Sequence, residues 1–316
     1  MRRAPLLTAL LLSSLALWPA AADEAPEARI FGLLMEDMSY TARQDRLAGI
    51  FRDLDHEGRL TPALYRKILT HPSGRMFLPD LHDALARSSA ERAGKIFGNL
   101  LTAPPDLPHQ AQLEIRRASA YALSQVTESS EDERLFALLR QEPDLELRIF
   151  LAGAFAASRP AEVAGLAVGW SRDLDAPGPE DEAQAQSDPL WGQMQLTLRQ
   201  ALNRLLSRLG TEASLAELLR SLKLYVGDAP GWLVRDGLDL LGAGNYGPAY
   251  PVMRRVALDI EEELVTRTAA LKAMARLYPP GKRQDLAEVA RQVLAAAEGE
   301  LEQPEVEAVI EALDER

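Results

Sequence analysis

Five short segments of this chain repeat one another in register, and that recurrence constrains the fold more than any other feature. They are LEIRRASAYAL from Leu113, LELRIFLAGAF from Leu145, LTLRQALNRLL from Leu196, WLVRDGLDLLG from Trp232 and LVTRTAALKAM from Leu264. Aligned on Arg116, Arg148, Arg199, Arg235 and Arg267, each has an apolar side chain three residues earlier: Leu113, Leu145, Leu196, Trp232 and Leu264. Two residues later stand Ala118, Phe150, Ala201, Gly237 and Ala269, and six later Ala122, Ala154, Leu205, Leu241 and Ala273. Offsets −1, +2, +6 and +7 fall along one side of an α-helix, so each segment has a continuous face to bury. The small residues on that face let a neighbouring helix approach closely.

The arginines are spaced 32, 51, 36 and 32 residues apart. The long interval contains 173–189, DLDAPGPEDEAQAQSDP, with six acids, three prolines and no base. That composition predicts an exposed, acidic loop insertion, and removing it brings the interval back toward the others. Further helices are expected between the aligned ones, at 131–141, 160–171, 212–226, 248–262 and 283–297. One unit is then a pair of antiparallel helices, and a period in the thirties predicts an α-solenoid, in which stacking buries faces that no single pair can bury.

The rest of the chain supports an all-α class, since apolar residues recur at helical spacing and extended β-branched alternation is absent. Thr41 with Gln44 and Ser130 with Glu133 have capping-box spacing, while Thr61-Pro62 and Asp188-Pro189 put proline just after a cap. Residues 23–103 are expected to form a separate helical N-terminal segment, with helices at 26–38, 41–54, 61–70, 77–88 and 89–102. The Pro-rich run 104–108 marks its boundary, and 109–316 form the repeats.

The region 109–316 resembles HEAT repeats, especially the short bacterial kind, on the strength of Ile115-Arg116, Leu147-Arg148, Leu198-Arg199, Val234-Arg235 and Thr266-Arg267 followed by Ala/Leu patterns. Two departures stand against it. No aspartate lies at a fixed distance upstream of the arginines, and Gly237 and Gly242 occupy the packing face of the fourth unit. The resemblance implies a curved helical scaffold whose work is contact with a protein or peptide.

Residues 1–22, MRRAPLLTALLLSSLALWPAAA, read as a secretory signal peptide: a basic start, an apolar core too short to span a bilayer, and a small-residue cleavage site before Asp23. A periplasmic or secreted location follows, with no stable membrane insertion after cleavage. The chain has no cysteine, which excludes disulfides, thiol nucleophiles and a lipid-bearing cysteine. Its net charge of −12 becomes −14 once Arg2 and Arg3 are removed. Nucleic acid is excluded as a partner on this ground, because binding it needs clustered cations to release counterions.

Local chemistry is sparse. FRDLDHEGRLTPALY at 51–65 offers Asp53, Asp55 and Glu57 as calcium ligands, but Leu64 stands where a closing bidentate glutamate belongs. The other reading of the same stretch is a helix capped by Gly58, with a new helix starting at Thr61-Pro62. His56, His71, His82 and His109 show no paired spacing for zinc and are expected to be solvated or cap-associated. Phosphate-binding, dinucleotide and nucleophile-elbow motifs are absent. No cofactor is expected, calcium apart. For partner contact the candidates are Trp232, Tyr246 and Tyr250, the tyrosines lying in the irregular stretch GAGNYGPAYP at 242–251. Trp170 and Trp191 are expected mostly in the core. The arginines are expected to bond loop carbonyls or acids of the adjacent repeat, against the alternative of a row binding an anion. The sequence thus points to a non-catalytic interaction or scaffold module of a bacterial envelope. An envelope enzyme or calcium-binding protein with its site in 26–103 is the alternative, and self-association is a third reading.

Overall fold

A computed structural model describes residues 25–127, 130, 132–176, 191–277, 282–297 and 299–314. Among them there is no strand, and the helices divide into two compact units, the first ending at Val126 and the second beginning at Thr127.

The first unit holds α1 (Pro26–Leu34), α2 (Tyr40–His56), α3 (Pro62–Thr70), α4 (Pro72–Met76), α5 (Leu78–Ser88), α6 (Ala90–Thr102) and α7 (His109–Val126). Caps set these boundaries. The Ser39 hydroxyl accepts from Ala42 N at 3.3 Å, so α2 begins one residue before the expected Thr41, and Gln44 turns inward to donate to the Asp80 carbonyl. Thr61 accepts from Leu64 N at 3.1 Å with Pro62 at the first helical position, as the sequence suggests. Gly58, at φ +67°, ends α2; the amides of Arg59 and Leu60 both reach back to the Leu54 carbonyl. The short helix α4 was not anticipated. His71 caps it, its Nδ1 accepting from Ser73 N at 3.2 Å.

Helix α7, which carries Arg116, packs on α5 and α6. The proline run 104–108 is therefore a connector inside the first unit, and the division between units falls about twenty residues later. The reason lies in the face of α7, whose Ile115, Ala120, Ala122 and Leu123 are buried.

The second unit holds α8 (Glu133–Gln141), α9 (Leu145–Gly153), α10 (Pro160–Asp175), α11 (Trp191–Leu209), α12 (Glu212–Tyr225), α13 (Gly231–Ala243), a 3-10 turn (Gly247–Ala249), α14 (Tyr250–Leu258), α15 (Leu264–Leu277), α16 (Arg283–Ala297) and α17 (Gln303–Asp314). Asp132, rather than Ser130, caps α8, and Asp144 and Thr211 cap α9 and α12. Helix α10 continues through Asp173 to Asp175, so the insertion begins later than expected; its residues 177–189, including the Asp188-Pro189 start, lie outside the described residues.

In this unit α11 touches α9 and α13, α13 touches α15, and α15 touches α17; α12 touches α10, and α14 touches α16. Neighbours α13 and α15 run parallel: Gly231 at the start of one meets Glu263 and Thr266 of the other, while Gly242 near its end meets Ala273. A Cβ at Gly242 would stand 3.1 Å from the Ala273 Cα, which is why glycine sits on this packing face.

Candidate functional site

The Asp53–Glu57 turn is the first candidate. Asp53 and Asp55 lie in the last turn of α2 and Glu57 is its C-cap. Each carboxylate faces a different cation: Asp53 the Arg29 guanidinium at 4.0 Å, Asp55 the Arg92 Nε at 2.7 Å, and Glu57 the Arg59 Nη1 at 3.2 Å. Among the described residues no three His, Asp or Glu side chains converge as a metal site requires. The turn performs the capping role of the second reading.

The histidines do not come together. His56 and His109 are exposed, and His71 is a cap whose ring lies 4.3 Å from that of Phe31. His82 differs from expectation. Only 3% exposed, it is a core residue on α5, held between the Tyr65 hydroxyl (3.2 Å to Nδ1) and the Ser119 hydroxyl (3.1 Å to Nε2). Its ring stacks on Phe97 at 4.8 Å, and Phe51 lies against Tyr65. Burial holds His82 neutral, pushing it down to about 3, and raises Tyr65 well above its ordinary value. A Ser–His–Tyr line of this kind looks catalytic in isolation. Here all three members are sealed from solvent, so it rigidifies the core by satisfying buried polar groups.

The aligned arginines are engaged in the fold. Arg267 donates through Nε to the Ala257 carbonyl at 3.1 Å, satisfying a carbonyl in the last turn of α14. Arg148 reaches the Pro143 carbonyl at 3.4 Å and lies over the buried Trp170 ring at 5.4 Å. Arg235 reaches forward to Glu263 (3.4 Å) and the Thr266 hydroxyl (3.2 Å). Arg116 is half-buried in α7. Arg148 thus bonds a loop carbonyl, Arg235 an acid and a hydroxyl that follow it in the chain, and Arg267 a carbonyl of the preceding helix.

Arg199 anchors a group that the sequence did not disclose. At 1% exposure, its guanidinium donates to the Ser171 hydroxyl and carbonyl, both at 2.8 Å, and pairs with Asp175. Asp175 also pairs with Arg220 and accepts from the Tyr225 hydroxyl at 2.9 Å. The Ser171 hydroxyl donates to Glu217 at 2.7 Å, and Arg172 and Arg220 flank the same carboxylate. Burial pushes Glu217 up, but the bonds from Arg220 and Ser171 outweigh it and hold the group below the ordinary carboxylate range. The cluster pins the end of α10 to α11 and α12. Each of its two carboxylates is held by two arginines, which suits fixing geometry. A glutamate and two serines on the inner side of α12, Glu217, Ser214 and Ser221, were the available signal.

The tyrosine loop is also turned inward. Tyr246 and Tyr250 are 7% and 4% exposed, with hydroxyls on Glu212 and Asp285 at 3.1 Å each. The rings pack as core, so neither presents an exposed anchor; burial, followed by the carboxylate partner, raises both phenols. Trp232 is half-buried near the start of α13, and the Trp191 side chain lies outside the described residues.

Concave surface remains between α15 and α17: an open cleft of about 450 Å³ floored by Ala275, Ala308, Val309 and Ala312 and edged by Lys272, Arg276 and Glu305. Among the described residues no helix is long and apolar enough to cross a membrane. Comparison with family models, curated proteins and solved structures returned no match.

Proposed function

We propose that this chain is an exported, non-catalytic adaptor of a bacterial envelope, in which HEAT-like helix pairs stack into an α-solenoid whose surface holds a protein or peptide. The observation that carries this reading is a ladder of side-chain bonds one repeat apart. Arg204 bonds Asp236 and Ser207 the Leu240 carbonyl, 32 and 33 residues on. Arg235 bonds Thr266, 31 on, and Lys272 bonds Glu305, 33 on. On the other helices Glu212 accepts from Tyr246 and Asp285 from Arg254, separated by 34 and 31. Arg276 bonds Asp239 at a separation of 37 and Arg235 bonds Glu263 at 28, and separations grouped in this way are what a stack of equivalent units produces, because each unit meets its neighbour in a similar register. The basic, apolar and small-residue order of 1–22 supports export.

Affinity capture from envelope extract tests the reading, using the exported protein and an Ala308→Glu/Ala312→Glu variant that fills the cleft floor with charge. Both alanines are exposed, so the variant keeps its fold. Specific recovery by the wild type, reduced in the variant, is the expected result. Absence of any specific partner under both conditions would overturn the adaptor role.

A further inference from the structure

We infer that the edge of the second unit formed by the α14–α15 and α16–α17 turns docks a cationic, amphipathic segment of a partner protein. This rests on the adaptor reading and names the chemistry of the partner. The two turns share a pattern of acid, large aliphatic, acid: Asp259-Ile260-Glu261 and Glu300-Leu301-Glu302. Ile260 is 80% exposed and Leu301 92%, the two most exposed large apolar side chains among the described residues. Nothing in the turns needs an aliphatic there. The α14–α15 turn is held by backbone, with Glu262 N on the Asp259 carbonyl and Glu261 N on the Asp259 side chain, and a polar residue at 260 would leave both bonds intact. Val265, at the start of α15, is a third exposed apolar group, 40% exposed. Scattered surface aliphatics are ordinary, but the same motif placed before α15 and before its packing neighbour α17 is a pattern.

Charge selects the occupant. Arg235 and Lys272 lie against Glu263 and Glu305, whereas among the described residues no cation pairs with Glu261, Glu262, Glu300 or Glu302. The aliphatics therefore sit in a field of uncompensated carboxylates. Nucleic acid, anionic lipid and the same edge of a second copy all carry the wrong sign. A segment with Lys or Arg beside apolar side chains matches both features, and complementarity of this kind governs capture and register.

Fluorescence anisotropy with three labelled 18-residue peptides tests this: a Lys/Leu amphipathic helix, a Lys/Ser peptide of equal charge, and a Glu/Leu peptide of equal apolarity. The wild-type protein should bind the Lys/Leu peptide at least tenfold more tightly than either other. Ile260→Ser/Leu301→Ser should weaken it tenfold or more, and Glu261→Lys/Glu300→Lys should abolish it. Leu224→Ser, at an exposed apolar site outside both turns, should leave it unchanged. Equal binding of the Lys/Leu and Lys/Ser peptides would mean unspecific attraction to an acidic protein and would overturn the inference, as would wild-type affinity in the Ile260/Leu301 variant. Light scattering that shows a dimer dissociated by Ile260→Ser/Leu301→Ser would assign the edge to a second copy and overturn it too. Should no peptide bind while envelope capture still recovers a partner, this edge is refuted and the adaptor role stands.

Discussion

Lowering the pH from 7.5 to 5.0 should destabilise the first unit through His82. The imidazole is buried in a core of Phe51, Tyr65 and Phe97, and burial pushes it down to about 3 from an ordinary value near 6.5. Below about 6.5 the unfolded chain takes up a proton that the folded chain refuses until near 3. The unfolded state therefore binds more protons across that window, and stability falls as the pH falls. At pH 5 the folded ring is still neutral and the unfolded ring is about 1.5 units below its own midpoint, which is worth about 2 kcal/mol. The groups facing His82 do not compensate. Tyr65 stays protonated throughout and Ser119 does not titrate, while the nearby Asp83 carboxylate is occupied by the Tyr40 hydroxyl at 2.6 Å. Hydrogen exchange read by mass spectrometry on peptides from α3, α5 and α7 measures the opening free energy of this unit. The comparison is between wild type and His82→Gln at both pH values, so that carboxylate effects shared by the two proteins cancel. The wild type should lose about 2 kcal/mol more than the variant, roughly a 30-fold change in the opening equilibrium. Identical losses in the two proteins would refute the argument that a neutral buried imidazole couples this core to pH.

Three further outcomes follow from the geometry. Arg199→Met should cost about 3 kcal/mol by urea unfolding followed through tryptophan fluorescence, because Asp175 and Ser171 lose a buried partner while Arg220 and Tyr225 still hold the carboxylate; a loss under about 1 kcal/mol would show the pair to be dispensable. Gly242→Ala should destabilise by about 1–3 kcal/mol, since its Cβ meets Ala273 backbone, whereas Gly237→Ala meets only the end of the Leu222 side chain at 3.2 Å and should be neutral or stabilising by up to about 1 kcal/mol. Thermal melts that move the same way for both would contradict the close approach of α13 and α15. Millimolar calcium should leave the melting temperature within about 1 °C, because Asp53, Asp55 and Glu57 face three separate cations; a clear rise would restore the turn as a cation site.

Local chemistry was legible where neighbours in sequence decide the outcome. The helical class, the α3 start at Thr61-Pro62 and the Gly58 cap all depend on residues within one turn, and they stand where the residues indicate. Longer-range decisions were not legible. His82 looks like a surface histidine until α3, α6 and α7 close around it, since Tyr65 and Ser119 lie 17 and 37 residues away. Tyr246 and Tyr250 read as loop residues because glycine and proline surround them. Their burial is decided by Glu212 and Asp285, 34 and 35 residues off, which give the phenols somewhere to bond. The Arg199 cluster was hidden for the same reason: its members come from α10, α11 and α12, on both sides of the insertion.

The register of arginines carries a physical meaning that the separate contacts make plain. An arginine near the start of one helix can reach the carbonyl-rich end of the helix before it, where the backbone leaves acceptors unsatisfied and the dipole is negative. Arg267 on Ala257 does this directly, and Arg148 does it on the preceding loop at Pro143, whereas Arg199, in the middle of α11, reaches Ser171 within α10. Arg235, which follows a turn ending in Pro230, instead joins its neighbour pair through Glu263 and Thr266. The aligned position is thus used in two ways, bonding the helix or loop before it or the residues that open the helix after it. On the adaptor reading proposed above, recognition falls to side chains that the packing does not use, and the exposed Ile260 and Leu301 are of that kind.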